Sequence, residues 1–400
     1  MALARAVKDV FIVAAKRTPF GTYGGSLASF TAIDLQEIAS RAALEAGGIK
    51  PEIINSVIVG SVLYATSDGP YIARHSALRI GIPEVVPAHN VNRMCGSGFQ
   101  SVVSGSQEIE LGVSNVVLAG GAETMSMCPH YVHGARFGSK LGVDLKMEDV
   151  LWQALIDKHV KTPMGVSAEN LAVKYGLTRE QTDAYALLSQ QRWKKANDAG
   201  VFKEEMATIT LKSRKGEKVM DTDEHPRPDV TIEGLGKLPT VFKKGGTVTA
   251  GNASGICDGA GAVVLASAQA CQEHNLKPLA RLVGYGISGC DPTIMGIGPV
   301  AAIQAMLSAT GQTIQDMDLV EVNEAFAPQY LAVEKELGLD PEKTNINGGA
   351  IALGHPVGAS GSRITAHLVH ELRRRGGKYA AGSACIGGGQ GIAILLENVN

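Results

Sequence analysis

Aromatic residues make up only 5% of this 400-residue chain, too few for the stacked platform that single-stranded nucleic acid requires. Neither sign of charge is in excess: 37 Lys and Arg stand against 39 Asp and Glu, a formal net charge of −2. A nucleic-acid binder normally carries a basic domain, so this balance argues against one. Cysteine is sparse and scattered. Cys95, Cys128, Cys257, Cys271, Cys290 and Cys385 form no C-x-x-C pair, so the pattern of a disulfide framework or a structural zinc site is missing. Reduced thiols in an intracellular compartment are the expectation. No apolar run approaches the ~20 residues of a membrane helix, which predicts no integral membrane segment. The glycine-rich stretches lack the P-loop and dinucleotide patterns, and nothing supports a metal site. The start of the chain carries Arg5 and Lys8, with no acid before Asp9 and a strand-like run from Val10. That leaves no room for a removable secretory leader, while the basic start is compatible with a mitochondrial address.

Glycine is what the chain has in plenty, 48 residues. That is well above a background of about 7% and points to tight turns and close backbone approach. Hydrophobic residues at 45% and charged residues at 19% fit a soluble globular protein of two or three domains. Strand-like and helix-like segments alternate up to about residue 126 and again after 251. Strands are expected at 10–15, 57–60, 115–121, 262–266, 278–285, 319–322, 379–382 and 391–396. Helices are expected at 31–46, 99–111, 300–309, 325–337 and 360–375. Such alternation predicts mostly parallel sheets covered by helices. The stretch 127–250 is more charged and poorer in strands. Thr178 with Gln181 forms a capping box for a long polar helix, and 221–228 reads as a loop. This stretch reads as an insertion that builds a lid or ligand platform. The flanking halves share a layout of strand, Gly-rich turn with a cysteine, and covering helices, which suggests an internal duplication.

Four constellations carry chemistry. In Asn92-Arg93-Met94-Cys95-Gly96-Ser97-Gly98-Phe99 a strand ends, the chain turns, and a helix starts just after the cysteine. A helix N-terminus stabilises a thiolate and is expected to lower its pKa. A lone cysteine there is more often a small buried core residue. In Asn347-Gly348-Gly349-Ala350-Ile351-Ala352-Leu353-Gly354-His355-Pro356-Val357-Gly358-Ala359-Ser360-Gly361 one histidine lies just ahead of a helix, and neutral His355 can take a proton from a thiol. Gly382-Ser383-Ala384-Cys385-Ile386-Gly387-Gly388-Gly389-Gln390-Gly391 places a second cysteine beside glycines whose N–H groups can converge on an anion. Asn323-Glu324-Ala325-Phe326-Ala327 puts an amide at a strand end, able to hold a water or a carbonyl oxygen.

Together, in this order and over nearly the whole length, these motifs resemble the thiolases. The resemblance implies a thiolase fold of the α/β class: two similar αβαβα-layered halves with an inserted loop domain. The N-terminal half would be 1–126 with 251–277, the inserted CoA-binding loop domain 127–250, and the C-terminal half 278–400. Cys95 resembles the acyl-accepting nucleophile and His355 its base. Cys385 resembles the acid/base that protonates the leaving enolate and then takes the proton of incoming CoA. Asn323, through a water, and His355 resemble one oxyanion hole. The backbone N–H groups of Cys95 and Gly387 resemble a second. CoA would be a co-substrate, with no permanently bound cofactor. Its contacts would include Arg227 at the adenine end, Val230, and Ser254 in Ala250-Gly251-Asn252-Ala253-Ser254-Gly255. Leu238, Phe242, Met164 and Phe326 would line the acyl tunnel. By the same resemblance a homo-oligomer, dimer or tetramer, is expected.

One departure bears on the branch. Biosynthetic acetoacetyl-CoA thiolases carry His-Met-Gly ahead of an Ala-Glu-Asn segment; here the stretch is Pro163-Met164-Gly165 ahead of Ala168-Glu169-Asn170. With Ser288-Gly289-Cys290-Asp291-Pro292 and Met295-Gly296-Ile297-Gly298-Pro299, the chain looks closer to the mitochondrial 3-ketoacyl-CoA thiolases of β-oxidation. The implied reaction is thiolysis of 3-ketoacyl-CoA by CoA to acetyl-CoA and a shortened acyl-CoA, in the mitochondrial matrix, with the cytoplasm as alternative. The competing readings are an acetoacetyl-CoA-forming thiolase, an acyl-CoA thioesterase side activity, and a non-catalytic acyl-CoA-binding protein. The last is disfavoured because Cys95, His355 and Cys385 are all present.

Overall fold

The computed structural model describes residues 2–214 and 216–399. An 11-stranded sheet runs through both halves of the chain. Its strands are β1 Val10–Arg17, β2 Ser56–Gly60, β3 Ala88–Val91, β4 Val116–Thr124, β5 Cys257–Ser267, β6 Ala280–Gly289, β7 Leu319–Val322, β8 Tyr379–Ile386 and β9 Gln390–Asn398, flanked by the short strands Leu3–Ala6 and Gly21–Thr22. The main helices are α1 Ala32–Gly47, α2 Ser97–Glu110, α3 Met164–Tyr175, α4 Arg179–Asp198, α5 Gly298–Thr310, α6 Ala327–Leu337 and α7 Ser360–Arg375. Helix α7 and strand β7 have the predicted bounds. Helix α2 starts two residues before the expectation, and β8 runs on through Cys385 where the strand was expected to stop at residue 382. The Leu3–Ala6 segment is a strand paired with β6, Leu3 opposite Ile287.

From the centre outward the N-terminal half reads β1-β5-β4-β2-β3 and the C-terminal half β6-β9-β8-β7. Counted by order along the chain within each half, this is first, fifth, fourth, second in both. The third place is β3 in one half and a parallel bridge from Thr344 to Val320 in the other. The repeat that the layout suggested is thus a repeat of topology. The expectation of mostly parallel pairing is corrected: β2–β3, β2–β4 and β7–β8 are parallel, but β1–β5, β4–β5, β6–β9, β1–β6 and β8–β9 are antiparallel. The connections decide this. A three-glycine turn joins β8 to β9, and a tight hairpin admits only antiparallel strands. Strand β5 returns after the long excursion through 125–256, which does not fix a parallel direction as a single short crossover helix would.

Alternation along the strands then makes layers. In β4, Val116 and Leu118 face α1, while Val117 and Ala119 join Phe99, Val102 and Val103 of α2 and Ile364, Leu368 and Val369 of α7. In β9, Ala393 and Leu395 face α5, while Ile392 and Ile394 join that same central core. Helices α2 and α7 therefore form a shared middle layer, giving αβαβα overall. They touch through glycine: a Cβ on Gly361 would lie 2.2 Å from Phe99 N, and one on Gly98 would lie 2.5 Å from Ser362 N. This brings the two helix N-termini, and the loops leading into them, together at one place.

Pro292–Thr310 is the one stretch, among the described residues, long and apolar enough to match a membrane span, which corrects the statement that no apolar run comes close. It is broken at Ile294, and its helical part, α5, packs Val300, Ile303 and Met306 into the core.

The segment between β4 and β5 adds α3, α4 and small two-stranded ribbons, and among the described residues none of its strands joins the main sheet. Thr178 caps α4 as predicted: its Oγ accepts from Gln181 N–H at 3.3 Å and Gln181 Oε1 accepts from Thr178 N–H at 2.8 Å. A buried charge network fastens this segment to both halves. Arg17 of β1 donates to Glu205 at 2.6 Å and to Asp223 at 2.6 Å, and His367 of α7 holds the other Glu205 oxygen at 2.7 Å. Burial alone would raise the Glu205 carboxyl, but His367 and Arg17 outweigh it and hold it at about 2, against an ordinary 4.5. A depressed folded-state value means that the stabilisation is complete above pH 4.5 and is lost as pH falls towards 2. Glu205→Gln is therefore expected to cost about 3–5 kcal/mol at neutral pH. That deficit should shrink on acidification through this window, measured by urea unfolding at a series of pH values.

Candidate active site

Cys95 sits in the turn between β3 and α2. Asn92 Oδ1 accepts from Met94 N–H at 2.9 Å, an Asx turn, and Met94 is held at φ +46. A non-glycine residue at positive φ stores strain, here spent on aiming the next residue. Gly96 is the N-cap of α2, and its Cβ position lies 2.6 Å from Ile386 Cδ1, so only glycine lets β8 approach this turn. Cys95 is 7% exposed, in one apolar cluster with Leu63, Met125, Leu151 and Val357. The expectation of a lowered thiol pKa is corrected. Burial pushes the thiol up to about 11, outweighing the N–H groups of Gly387 and of Cys95 that bond the sulfur, and Glu123 adds to the rise. The residue precedes the helix and is dry, so desolvation wins over the helix dipole.

His355 follows Gly354, whose φ of +95 and 2.1 Å Cβ clearance from Cys257 Sγ exclude a side chain. Its Nδ1 is 2.5 Å from Ser360 Oγ, and Ser360 Oγ donates to the Pro356 carbonyl at 3.1 Å. With its proton so engaged, Ser360 accepts from Nδ1–H, which leaves Nε2 with its lone pair. That nitrogen faces Asn323 Nδ2 at 3.4 Å. Burial, with Arg363 adding, pushes the imidazole down to about 3, so it is a neutral base at physiological pH. The bond to Ser360 is a feature that sequence reading missed; its signal was the five-residue spacing onto the first turn of α7.

Asn323 follows β7 and is buried. Its N–H donates to Ser383 O at 2.8 Å, and its carbonyl accepts from Ala325 N–H at 3.1 Å. Among the described residues its Oδ1 bonds no protein group. Cys385 lies inside β8, opposite Gly391, and not between two strands as expected. It is 1% exposed, clustered with Met295 and Ala325 and packed by Met164 and Phe326. Burial raises its thiol well above the ordinary range, with Cys95 and Cys290 adding. Gly388 and Gly389, at φ +83 and +82, turn the hairpin, and Gly387 lies so near Met164 Cε that a Cβ would stand 2.4 Å from it.

The structure thus brings Cys95, Gly387 and Cys385 together through the sulfur contacts, and His355 with Asn323 through their side chains. The Ala-Gly-Asn-Ala-Ser-Gly segment joins the last two: Gly255 O accepts from His355 N–H at 2.8 Å, and Ser254 N–H donates to Ala325 O at 3.0 Å. Ser254 is half-buried there. Arg227 is exposed and bonded through its N–H to Gln190 Oε1 at 2.8 Å. Val230 is half-buried against the cluster of Tyr185 and Leu235, with Leu238. Phe242 meets Phe326 edge to face at 6.0 Å. Of the four tunnel candidates, Met164 and Phe326 pack beside Cys385, Phe242 reaches it through Phe326, and Leu238 lies apart.

Two buried carboxylates were also missed. Glu324 accepts from Tyr185 OH at 2.6 Å, Ser189 Oγ at 2.7 Å, Asn345 Nδ2 at 3.1 Å and Ile351 N–H at 3.1 Å, which ties α4 to the loop that leads to His355. Glu123 accepts from the backbone N–H groups of Val62, Leu63 and Gly358 and from the Ser61 side chain, and is taken up below.

Residues 10–269 match the thiolase N-terminal domain family and residues 276–398 the thiolase C-terminal domain family. The mitochondrial 3-ketoacyl-CoA thiolase of Bos taurus is 66% identical over 392 residues, 98% of this chain and 99% of that one. An acetyl-CoA acetyltransferase of Chromobacterium violaceum is 48% identical over 390 residues, 97% of this chain and 99% of the other. The crystal structure of human mitochondrial 3-ketoacyl-CoA thiolase in complex with CoA has a TM-score of 0.96 at 63% identity, covering 100% of this chain and 99% of that chain.

Proposed function

The chain belongs to the thiolase family, and on that premise we propose that it cleaves 3-ketoacyl-CoA with CoA to acetyl-CoA and an acyl-CoA two carbons shorter. It is an acyltransferase of the 3-ketoacyl-CoA thiolase type, and the relatives named as mitochondrial support the mitochondrial matrix as its place of work. One observation supports the reading most: two buried thiols, one from each half, share a site with one neutral imidazole.

In this reading Cys95 sulfur attacks C3 of the substrate as His355 Nε2 takes its proton. Because the thiol is held high and the imidazole low, a preformed ion pair is disfavoured, and the proton leaves as the C–S bond forms. The Cys95 and Gly387 N–H groups hold the oxyanion at C3. The C2–C3 bond breaks, Cys385 protonates C2, and acetyl-CoA departs; Asn323 and His355 hold the thioester oxygen meanwhile. The Cys385 thiolate then takes the proton of CoA, whose sulfur attacks the acyl group, and Cys95 recovers its proton from His355. CoA is the co-substrate, with Arg227, Val230 and Ser254 as its contacts on the insertion 127–250 and the adjoining 251–277. Exposed apolar side chains on the 130–149 hairpin, Phe137 at 96% and Leu141 at 104%, support a homo-oligomer, for which a tetramer is the expectation.

Steady-state thiolysis of 3-ketoacyl-CoA substrates from four to sixteen carbons tests this. Activity that extends beyond four carbons is expected. Cleavage of acetoacetyl-CoA alone would move the chain to the acetoacetyl-CoA type, and CoA release by hydrolysis alone would make it a thioesterase. Arg227→Ala should raise KM for CoA on the order of tenfold and leave kcat unchanged, since this reading puts Arg227 at the adenine end of CoA and not at the reacting thioester.

A further inference from the structure

The topological repeat places a second chemical group where the C-terminal half has Cys385. Sheet register fixes the match. In the C-terminal half Val322, the last residue of β7, lies opposite Ser383, and Cys385 follows two residues on, opposite Gly391 of β9. In the N-terminal half Gly60, the last residue of β2, lies opposite Gly121, and Glu123 follows two residues on, opposite Gly259 of β5. The reciprocal glycine contact of α2 and α7 pairs Gly98 with Gly361. Three residues back, that pairs Cys95 with Gly358. Cys95 of one half faces Cys385 of the other; by the same repeat Gly358 should face Glu123. It does: Gly358 N–H donates to Glu123 Oε2 at 3.1 Å.

The rest of the Glu123 carboxylate is used as closely. Oε2 also accepts from Val62 N–H at 2.9 Å, and Oε1 accepts from Leu63 N–H at 3.1 Å. Glu123 is 1% exposed and has no cationic partner among the described residues, an arrangement that costs stability and is kept where geometry depends on it. Its bonds reach both walls of the site. Gly358 stands three residues after His355 and two before Ser360, which sets the imidazole. Leu63 and Val357 pack in the same cluster as Cys95.

We propose that Glu123 is a positioning residue for thiolysis, the N-terminal half's counterpart of Cys385, and that it sets the 355–360 loop and the Val62 and Leu63 wall against Cys95. This rests on the reading of His355 as the base for Cys95. An amide in its place has one accepting oxygen, so Glu123→Gln points an NH2 group at one of these N–H donors and pushes that wall away.

The test compares wild type, Glu123→Gln, Glu123→Asp and His355→Ala by kcat per alkylatable Cys95, KM for CoA, the rate of iodoacetamide alkylation mapped to Cys95, and melting temperature. Glu123→Gln is expected to lose on the order of 10²-fold in kcat, the size of effect that a 1 Å misplacement can bring. Cys95 alkylation should slow in step, with KM for CoA unchanged. A purely structural role would lower the melting temperature and leave kcat per site and the alkylation rate as they were, which overturns the proposal. Glu123→Asp keeps a carboxyl group but is too short to reach the Val62, Leu63 and Gly358 N–H groups together; it covers the case in which the amide variant does not fold. A folded Glu123→Asp with wild-type kcat overturns the proposal as well. A fully active His355→Ala would overturn the underlying reading of the base, whereas an inactive His355→Ala beside a fully active Glu123→Gln overturns the Glu123 proposal alone.

Discussion

Cys95→Ser is expected to lower thiolysis by on the order of 10⁶-fold, the scale at which a nucleophile is removed from a site that otherwise remains assembled. The substitution is nearly isosteric and the residue is buried in a small apolar cluster, so fold and CoA affinity should survive. The chemistry should not. C3 of the substrate is a ketone whose leaving group is a carbon, and the attacked intermediate must expel an enolate. Sulfur meets this demand because it attacks at neutral pH with help from a weak base and forms a thioester that CoA can reopen. A hydroxyl at this site would face the imidazole that burial holds at about 3, too weak a base for an alcohol. Steady-state thiolysis with circular dichroism as control checks this; retention of more than a small fraction of activity by a folded variant contradicts it.

His355→Ala is expected to cost about 10³- to 10⁴-fold in kcat, the upper range for loss of a general base. The effect should exceed that of a generic base because two functions leave together, the proton acceptor for Cys95 and one donor to the thioester oxygen. The Ser360 contact offers a finer check. Ser360→Ala removes the acceptor of Nδ1–H at 2.5 Å, lets the proton move to Nε2, and should reproduce part of the His355→Ala loss with the imidazole still in place. If kcat is unchanged in Ser360→Ala, the tautomer is not set by that serine.

Local chemistry made much of the fold legible in advance. The bounds of α7 follow from periodicity, from the basic residues Arg373, Arg374 and Arg375 in its last turn, and from Gly376 at φ +66 after it. The cap of α4 follows from Thr178 and Gln181. The pairing directions were not legible, because the direction of β5 and β9 is set by a long excursion and a hairpin, and not by any residue in those strands. The site was legible where its residues fall in contiguous motifs, as with Cys95, Asn323, His355 and Cys385. It was not where partners are remote: Glu123 and Gly358 are 235 positions apart, and nothing in Gly-Ala-Glu-Thr signals a loop anchor. The thiol pKa went the other way from the motif argument because helix-terminus stabilisation is a local property and desolvation depends on the finished core.

The central claim is that the acyl group passes through Cys95, and the most direct measurement is intact-protein mass spectrometry after mixing the enzyme with 3-ketooctanoyl-CoA in the absence of CoA. The account predicts a hexanoyl adduct, mapped by peptide analysis to Cys95, released acetyl-CoA in equal amount, and discharge of the adduct as hexanoyl-CoA when CoA is added. Acetyl-CoA formation without any adduct, or an adduct on another cysteine that CoA discharges at the turnover rate, would contradict it.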